Sequence, residues 1–305
     1  MDIIQVITKE LNVEKWQVEA AVKLIDEGCT IPFISRYRKE ATGSLNDEQL
    51  RTLHERLTYL RNLEEKKNQV LGSIEEQGKL TAELKKQILD AQTLVVVEDL
   101  YRPFRPKRRT RAIIAKEKGL EPLANIIMLQ MTDKPIEEEA QDFVLEDKGV
   151  ESVADAINGA KDIIAEHISD EADYRIYLRK LTMDRGSVAS TAKKPEESSV
   201  YEMYYEFEEP IKRLAGHRVL ALNRGEKEKI LTVKVNAPEE EAMGWLQKQV
   251  ITKENPITKP ILREVVEDSY KRLIAPAIER EIRSDLTEKA EDGAIHVFGK
   301  NLEQL

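Results

Sequence analysis

The chain has 305 residues, enough for one large or two to three ordinary domains, and its 41% apolar content can build a core. It is acidic, with 57 Asp+Glu against 48 Lys+Arg and a formal net charge of −9, which argues against a surface that embraces nucleic acid as a whole. A single cysteine excludes an internal disulfide, no apolar run approaches the roughly 20 residues of a membrane helix, and the charged start "MDIIQVITKELNVEKW" lacks a signal-peptide core, so the expectation is a cytoplasmic protein with no membrane partner.

In chain order, residues 1 to 27 read as two short helices. Ile3, Ile4 and Ile7 share one face of the first, and Val13, Trp16, Ala20 and Leu24 one face of the second. Gly28 ends the second helix, and "CTIPFISRYRKEATGSLND" reads as a linker punctuated by Pro32 and Gly43. A long helix starts near Asn46, with Leu50, Leu53, Leu57, Leu60, Leu63, Val70 and Ile74 at 3-4 spacing, and Gly78 ends it. Thr81 can cap the next helix, through about Ala91. "TLVVVEDLY" reads as a helix or a strand and stops at Pro103.

Two helices broken at Gly119 follow, then two more in "KPIEEEAQDFVLED" and "VESVADAINGAKDIIAEHI". A further helix is capped by Asp170 and ended at Gly186. "SVASTAKKPEESS" is small and polar, so it reads as a flexible connection and a domain boundary. "KILTVKVNA", near 229–236, is the one convincing strand. From Ile257 on, apolar residues recur at helical spacing, with Pro276 expected to kink or split the helix. The text stops at "KNLEQL" in mid-pattern, which suggests a chain cut short. The fold class is therefore mainly α and multi-helical, with one small β element near 229–236 and a long C-terminal helix. Its expected parts are 1–186, 187–256 and 257–305.

No catalytic constellation emerges. His54, His167, His217 and His296 make no H-x-x-x-H pair and none lies beside Cys29. Neither G-x-x-x-x-G-K-[ST] nor G-x-G-x-x-G occurs. The expectation is no enzyme, no metal and no cofactor.

Three stretches hold candidate binding residues. "RPFRPKRRTR" packs Arg102, Arg105, Lys107, Arg108, Arg109 and Arg111 into ten positions, with Pro103 and Pro106 favouring an extended course. Extended cations can track a phosphate backbone, but arginines also brace loops against carboxylates, and both readings stay open. "ISRYRKEATG" sets Arg36, Arg38 and Lys39 around Tyr37. That pattern can hold phosphate and stack a base, or simply pair and cap within an interhelical loop. "AGHRVLALNRGE" holds His217, Arg218, Arg224 and Glu226, a ligand site or a short helix ended by Gly225 and locked to its neighbours.

Taken together, "IPFISRYRKEATGSLNDEQLRTLHERLTYLRNLEEKKNQVLGSIEEQGKLT", "EDLYRPFRPKRRTRAIIAKEKGLEPLA", "GHRVLALNRGE" and "DSYKRLIAPAIEREIRSDLTEKAE" resemble, in order, the N-terminal part of the bacterial Tex family of transcription accessory proteins. The resemblance runs from about residue 3 to residue 305. It implies a helix-turn-helix-like N-terminal unit within 1–186, a mixed connector with a short strand over 187–256, and a long central helix over 257–305. It also implies that an RNase H-like domain, helix-hairpin-helix motifs and an OB-fold RNA-binding domain would follow. The function it implies is transcription and RNA or DNA binding by the intact protein, with transcription machinery as a partner. The resemblance gives no catalytic residue in this region. For this stretch alone, one reading is a scaffold with auxiliary, non-specific RNA or DNA contact through the basic segment. The alternative is a purely structural, protein-docking helical scaffold. The helix from Asn46 offers Gln49, Arg51 and Arg56 for base reading, but also Asp47, Glu48 and Glu55, which phosphates repel.

Overall fold

The computed structural model describes residues 2–303, with the side chains of all but 296 and 298–303. The chain divides into two compact units, Met1–Phe104 and Arg105–Leu305. The boundaries expected at 186/187 and 256/257 both fall inside the second unit.

The first unit is helical: α1 (Ile3–Leu11), α2 (Lys15–Asp26), α3 (Ile31–Tyr37), α4 (Asp47–Glu76), α5 (Ala82–Asp90) and α6 (Leu94–Tyr101), closed by a 3-10 turn at Arg102–Phe104. Its spine is α4, 30 residues long and so about 45 Å at 1.5 Å per residue. A reciprocal cap starts it. The Gln49 amide N–H donates to Asn46 Oδ1 at 2.8 Å, and the Asn46 N–H donates to Gln49 Oε1 at 3.0 Å. The expected stripe of Leu50, Leu53, Leu57, Leu60, Leu63, Val70 and Ile74 is buried throughout. Lys67 sits in that stripe at 1% exposure. Its ammonium donates to the Leu89 carbonyl at 2.8 Å and pairs with Glu64 at 3.1 Å, so a cation is satisfied where the period calls for an apolar residue.

Two local expectations are corrected in this unit. The buried face of α2 is Val18, Ala21 and Val22, while Trp16 is exposed. Both stripes are compatible with helical spacing, and the neighbouring helices decide which one is covered. The expected linker also contains a helix, α3. Pro32 lies in its first turn, where a missing N–H costs nothing, and Ile34 plugs the core.

The second unit begins with α7 (Arg111–Glu117), α8 (Glu121–Leu129), α9 (Ile136–Gln141), α10 (Val153–Asp170) and α11 (Ala172–Arg185). A sheet of β1 (Ser187–Ala192), β2 (Glu206–Pro210) and β3 (Leu231–Asn236) follows, with α12 (Gly216–Lys227) between β2 and β3. The unit ends with α13 (Glu239–Val250), α14 (Thr258–Asp268) and α15 (Ala275–Glu303). The expected strand is β3. The supposed flexible connection is corrected: Ser187–Ala192 is the central strand, antiparallel to both neighbours in the order β2-β1-β3, with Ser187 opposite Pro210 on one side and Asn236 on the other. Val188, Ala189 and Ser190 are buried in succession because both faces are covered. A strand buried on both faces loses the alternation by which strands are read, and small residues carry little hydrophobic signal.

Two caps also differ from expectation. Asp170 is the last residue of α10 rather than a cap on α11, and its carboxylate is used by Lys107. Gly225 lies inside α12, where its missing side chain admits Leu231 and Tyr201. The long C-terminal helix is not split by a loop at Pro276, since the helical backbone runs on from Thr258 to Glu303. A π-helical turn at Ser269–Ile274 precedes Pro276. Proline lacks the N–H that would bond the carbonyl four residues back and clashes with it, and the wider turn ahead of it accommodates both problems. Positions 304 and 305 of the expected helix lie outside the described residues.

Candidate nucleic-acid interface

The basic segment is split between the two units. Arg102 closes the first, half-buried in its 3-10 turn and engaged in a polar interaction. In the second, Arg105 to Thr110 runs without regular structure, as Pro106 dictates, and Thr110 then caps α7 through its hydroxyl.

Within this second-unit stretch the cations divide by role. Lys107 is half-buried, donates to Glu166 Oε1 at 3.0 Å and also bonds Asp170, so both carboxylates of the α10 end hold one ammonium. Arg109 pairs with Glu117 at 2.9 Å, in the open, with 70% of its side chain exposed. Arg105 is exposed and takes part in a polar interaction. Arg111 is exposed and close enough to Asp162 to bias its carboxyl. Burial pushes Asp162 up, and the charges of Arg272 and Arg111 oppose that. Arg108 is exposed and makes no ion pair among the described residues. The segment is therefore stitched at its middle and displays guanidinium groups on either side of the stitch.

The stretch from Arg36 to Lys39 ends α3 in the first unit. Phe33, Arg36 and Tyr37 stand at i, i+3 and i+4, one face of the helix, while Ile34 points into the core. Tyr37 is 67% exposed, and its ring lies 5.4 Å from that of Phe33 at 42°. The Arg38 guanidinium sits 5.4 Å from the Phe33 centroid, at cation–π range. Arg36 and Lys39 are exposed and form no ion pair among the described residues. Sequence reasoning found Tyr37 and its basic neighbours but missed Phe33. Four-residue spacing in a helix was the available signal, and treating the stretch as a linker hid it.

The base-reading candidates of α4 are all occupied. Gln49 serves the cap, Arg51 Nε bonds Asp47 at 2.6 Å, and Arg56 makes a two-pronged bond to Glu10 at 2.6 and 2.7 Å. In the 215–226 stretch, Arg218 pairs with Glu209 at 2.6 Å, and Glu226 is held below the usual carboxylate range chiefly by its bonds from Arg283. An open groove of about 750 Å³ runs beside that pair, lined among others by Asn223, Glu279, Arg280 and Thr287. No spacing in the sequence announced it, because α12 and α15 are brought together only by tertiary packing.

Among the described residues, no group of three or more His, Cys, Asp or Glu is placed to hold a metal ion, and no helix is long and apolar enough to cross a membrane.

Comparison with known proteins gives a consistent result. The Tex-like protein N-terminal domain matches residues 1–75, and the Tex central region-like family matches residues 131–298. An uncharacterized protein of Bacillus subtilis (strain 168), YdcI, is 48% identical over 99% of this chain and 42% of its own length. The transcriptional accessory protein Tex of Neisseria gonorrhoeae is 37% identical over the whole chain and 41% of its own length. The human S1 RNA-binding domain-containing protein 1 is 32% identical over the whole chain and 32% of its own length. The chain thus spans less than half the length of the curated relatives it matches, and the two family models cover residues 1–75 and 131–298 of it. It belongs to the Tex family.

Proposed function

We propose that this chain is the scaffold region of a nucleic-acid-associated transcription accessory factor and adds a weak, non-specific phosphate contact of its own through the segment from Arg105 to Arg111. The observation that carries this reading is the stitch at Lys107. Glu166 and Asp170 consume one cation, and in doing so tie down the irregular stretch that carries the exposed Arg108 and leads into α7, whose first residue, Arg111, is exposed too. Preorganised cations lose less side-chain and backbone freedom on meeting phosphate. The names of the relatives, one a transcriptional accessory protein and one an RNA-binding domain protein, support the same class. Sequence-specific reading is disfavoured, because the polar side chains of α4 are spent on capping and ion pairing. Affinity of the chain alone is expected in the non-specific range, roughly 10⁻⁴ to 10⁻⁶ M at physiological salt.

The test is fluorescence anisotropy of labelled RNA and duplex DNA across salt, with the parent and with Arg108→Ala/Arg111→Ala. Each lost phosphate contact should lower the log–log salt slope by about 0.7 to 0.9. An unchanged slope and affinity in a variant that melts like the parent would reduce the segment to a brace.

One observation favours a protein-docking role beside it. Leu129 and Met131 are 61% and 67% exposed, flanking the buried Gln130, whose amide donates to the Val250 carbonyl at 2.9 Å and accepts from Thr252 and Lys253 at 3.1 Å. A turn so firmly tied yet apolar at its tip suits a partner in the transcription machinery. Leu129→Ser/Met131→Ser should then weaken retention of purified RNA polymerase without changing the melting temperature.

A further inference from the structure

We infer that the exposed face of α3 is a stacking platform for single-stranded nucleic acid, with Tyr37 receiving a base and Arg36, Arg38 and Lys39 receiving the flanking phosphates. This rests on the nucleic-acid reading above but on a different part of the chain. Three features of the face point to it.

The first is the aromatic pair. A seven-residue helix has few positions with which to hold itself on the core, and Ile34 takes one of them. Yet the same helix leaves Phe33 at 38% and Tyr37 at 67% exposure, one turn apart and in contact with each other. Tyr37 contributes little burial energy at that exposure. Its ring is braced on one side by Phe33 and open on the other.

The second is the charge around it. The Arg38 guanidinium lies over the Phe33 ring, 5.4 Å from its centroid, which presets a cation beside the ring pair. Arg36 and Lys39 have no carboxylate partner among the described residues, and Glu40 is the one acidic residue in the run from Ile31 to Ala41. In a chain with more acids than bases, three cations around one exposed ring are a local reversal of sign.

The third is rigidity behind the platform. Gln17 Nε2 donates to the carbonyls of Thr42 and Gly43 at 3.2 and 3.0 Å, so the turn that follows the cations is tied to α2. The chemistry selected by an open aromatic face flanked by cations is an unpaired base with its phosphates. A duplex hides its base faces, so it offers the cations a target but the ring none. Stacking is indifferent to base identity, so the platform is expected to prefer single strands without reading sequence.

The experiment uses the full chain and two fluorescent probes of about twelve nucleotides or base pairs, an oligo(U) strand and a mixed-sequence duplex. Tyr37→Ala should weaken oligo(U) binding about tenfold and leave duplex binding within about twofold, while Tyr37→Phe retains oligo(U) affinity. Arg36→Ala/Lys39→Ala should weaken both probes and flatten the salt dependence. All three positions are exposed, so parental melting temperatures are expected and serve as the control. Oligo(U) binding unaffected by Tyr37→Ala overturns the platform, and if the same binding is lost in Arg108→Ala/Arg111→Ala, the segment reading survives alone. Loss with Tyr37→Ala and none with the Arg108/Arg111 variant keeps the platform and rejects the segment. A parent that binds neither probe at any salt overturns both and leaves the exposed rings to a protein partner.

Discussion

The Lys107 ammonium lies 3.0 Å from Glu166 Oε1 and also meets Asp170, which makes one cation of the basic segment structural. Removing it takes this ammonium from the buried Asp170 and the half-buried Glu166. Lys107→Ala is expected to lower the stability of the second unit by about 1–2 kcal/mol, read as a shift of the urea midpoint. Arg108→Ala, which breaks no ion pair, should stay within about 0.5 kcal/mol of the parent. Equal effects of the two substitutions would remove the distinction between stitch and display.

A second charged node lies deeper. Arg175 is fully buried, and its guanidinium reaches Glu281 Oε1 at 2.5 Å, while Arg179 bonds the other oxygen of the same carboxylate at 2.9 Å. The node joins α11 to α15 within the second unit. Glu281→Ala would leave Arg175 charged and buried without its carboxylate, at a cost of about 3–5 kcal/mol. Glu281→Gln keeps a hydrogen-bond acceptor and should cost less. Thermal or urea unfolding of the two variants checks the order, and a mild Glu281→Ala would mean that water reaches the node.

Gly43 is required twice over. Its φ is +61°, in the left-handed region, and a Cβ there would sit 2.5 Å from Gln17 Nε2 and 2.6 Å from the Trp16 ring. The exposed Trp16 is thus laid against a glycine rather than buried under α4. Gly43→Ala is expected to destabilise the first unit by about 1–3 kcal/mol, from backbone strain and from displacing Gln17. Trp16 emission should shift as its ring is pushed away. Unchanged emission together with full stability would show that the turn yields without penalty.

How much of this was legible in the sequence depended on how far each signal was local. The stripe of α4, its Asn46 start and the Gly78 stop were readable because period and cap chemistry both belong to the helix itself. The strand at Leu231–Asn236 was readable because its one-sided burial alternates. The strand at Ser187–Ala192 was not, since burial on both faces erases alternation and its residues are small. Helix α3 was hidden by Pro32, which as punctuation looks the same in a linker as in a first turn. In the candidate interface the composition announced the cations, but whether each was braced or displayed depended on Glu166 and Asp170, some 60 residues away along the chain. Patterns of charge say where cations are dense. Only tertiary packing says which of them are already used.

Tyr270 gives the fold a signature in alkali. It lies in the π-helical turn at 3% exposure, and burial pushes its phenol up to about 12, with the Glu239 charge adding to the effect. The ordinary value is about 10. The neutral phenol is therefore favoured in the folded state. Its contribution is fully present below pH 10 and is lost as the pH rises through about 12, because the unfolded chain releases this proton first. Stability should accordingly fall across the window from pH 10 to 12, and the fall should be shallower in Tyr270→Phe, which keeps the ring and has no proton to lose. Absorbance near the tyrosinate band, followed in both proteins, should show one phenol fewer titrating late in the variant. If parent and variant titrate alike and lose stability alike, the Tyr270 hydroxyl is reached by water, and the π turn does not seal it.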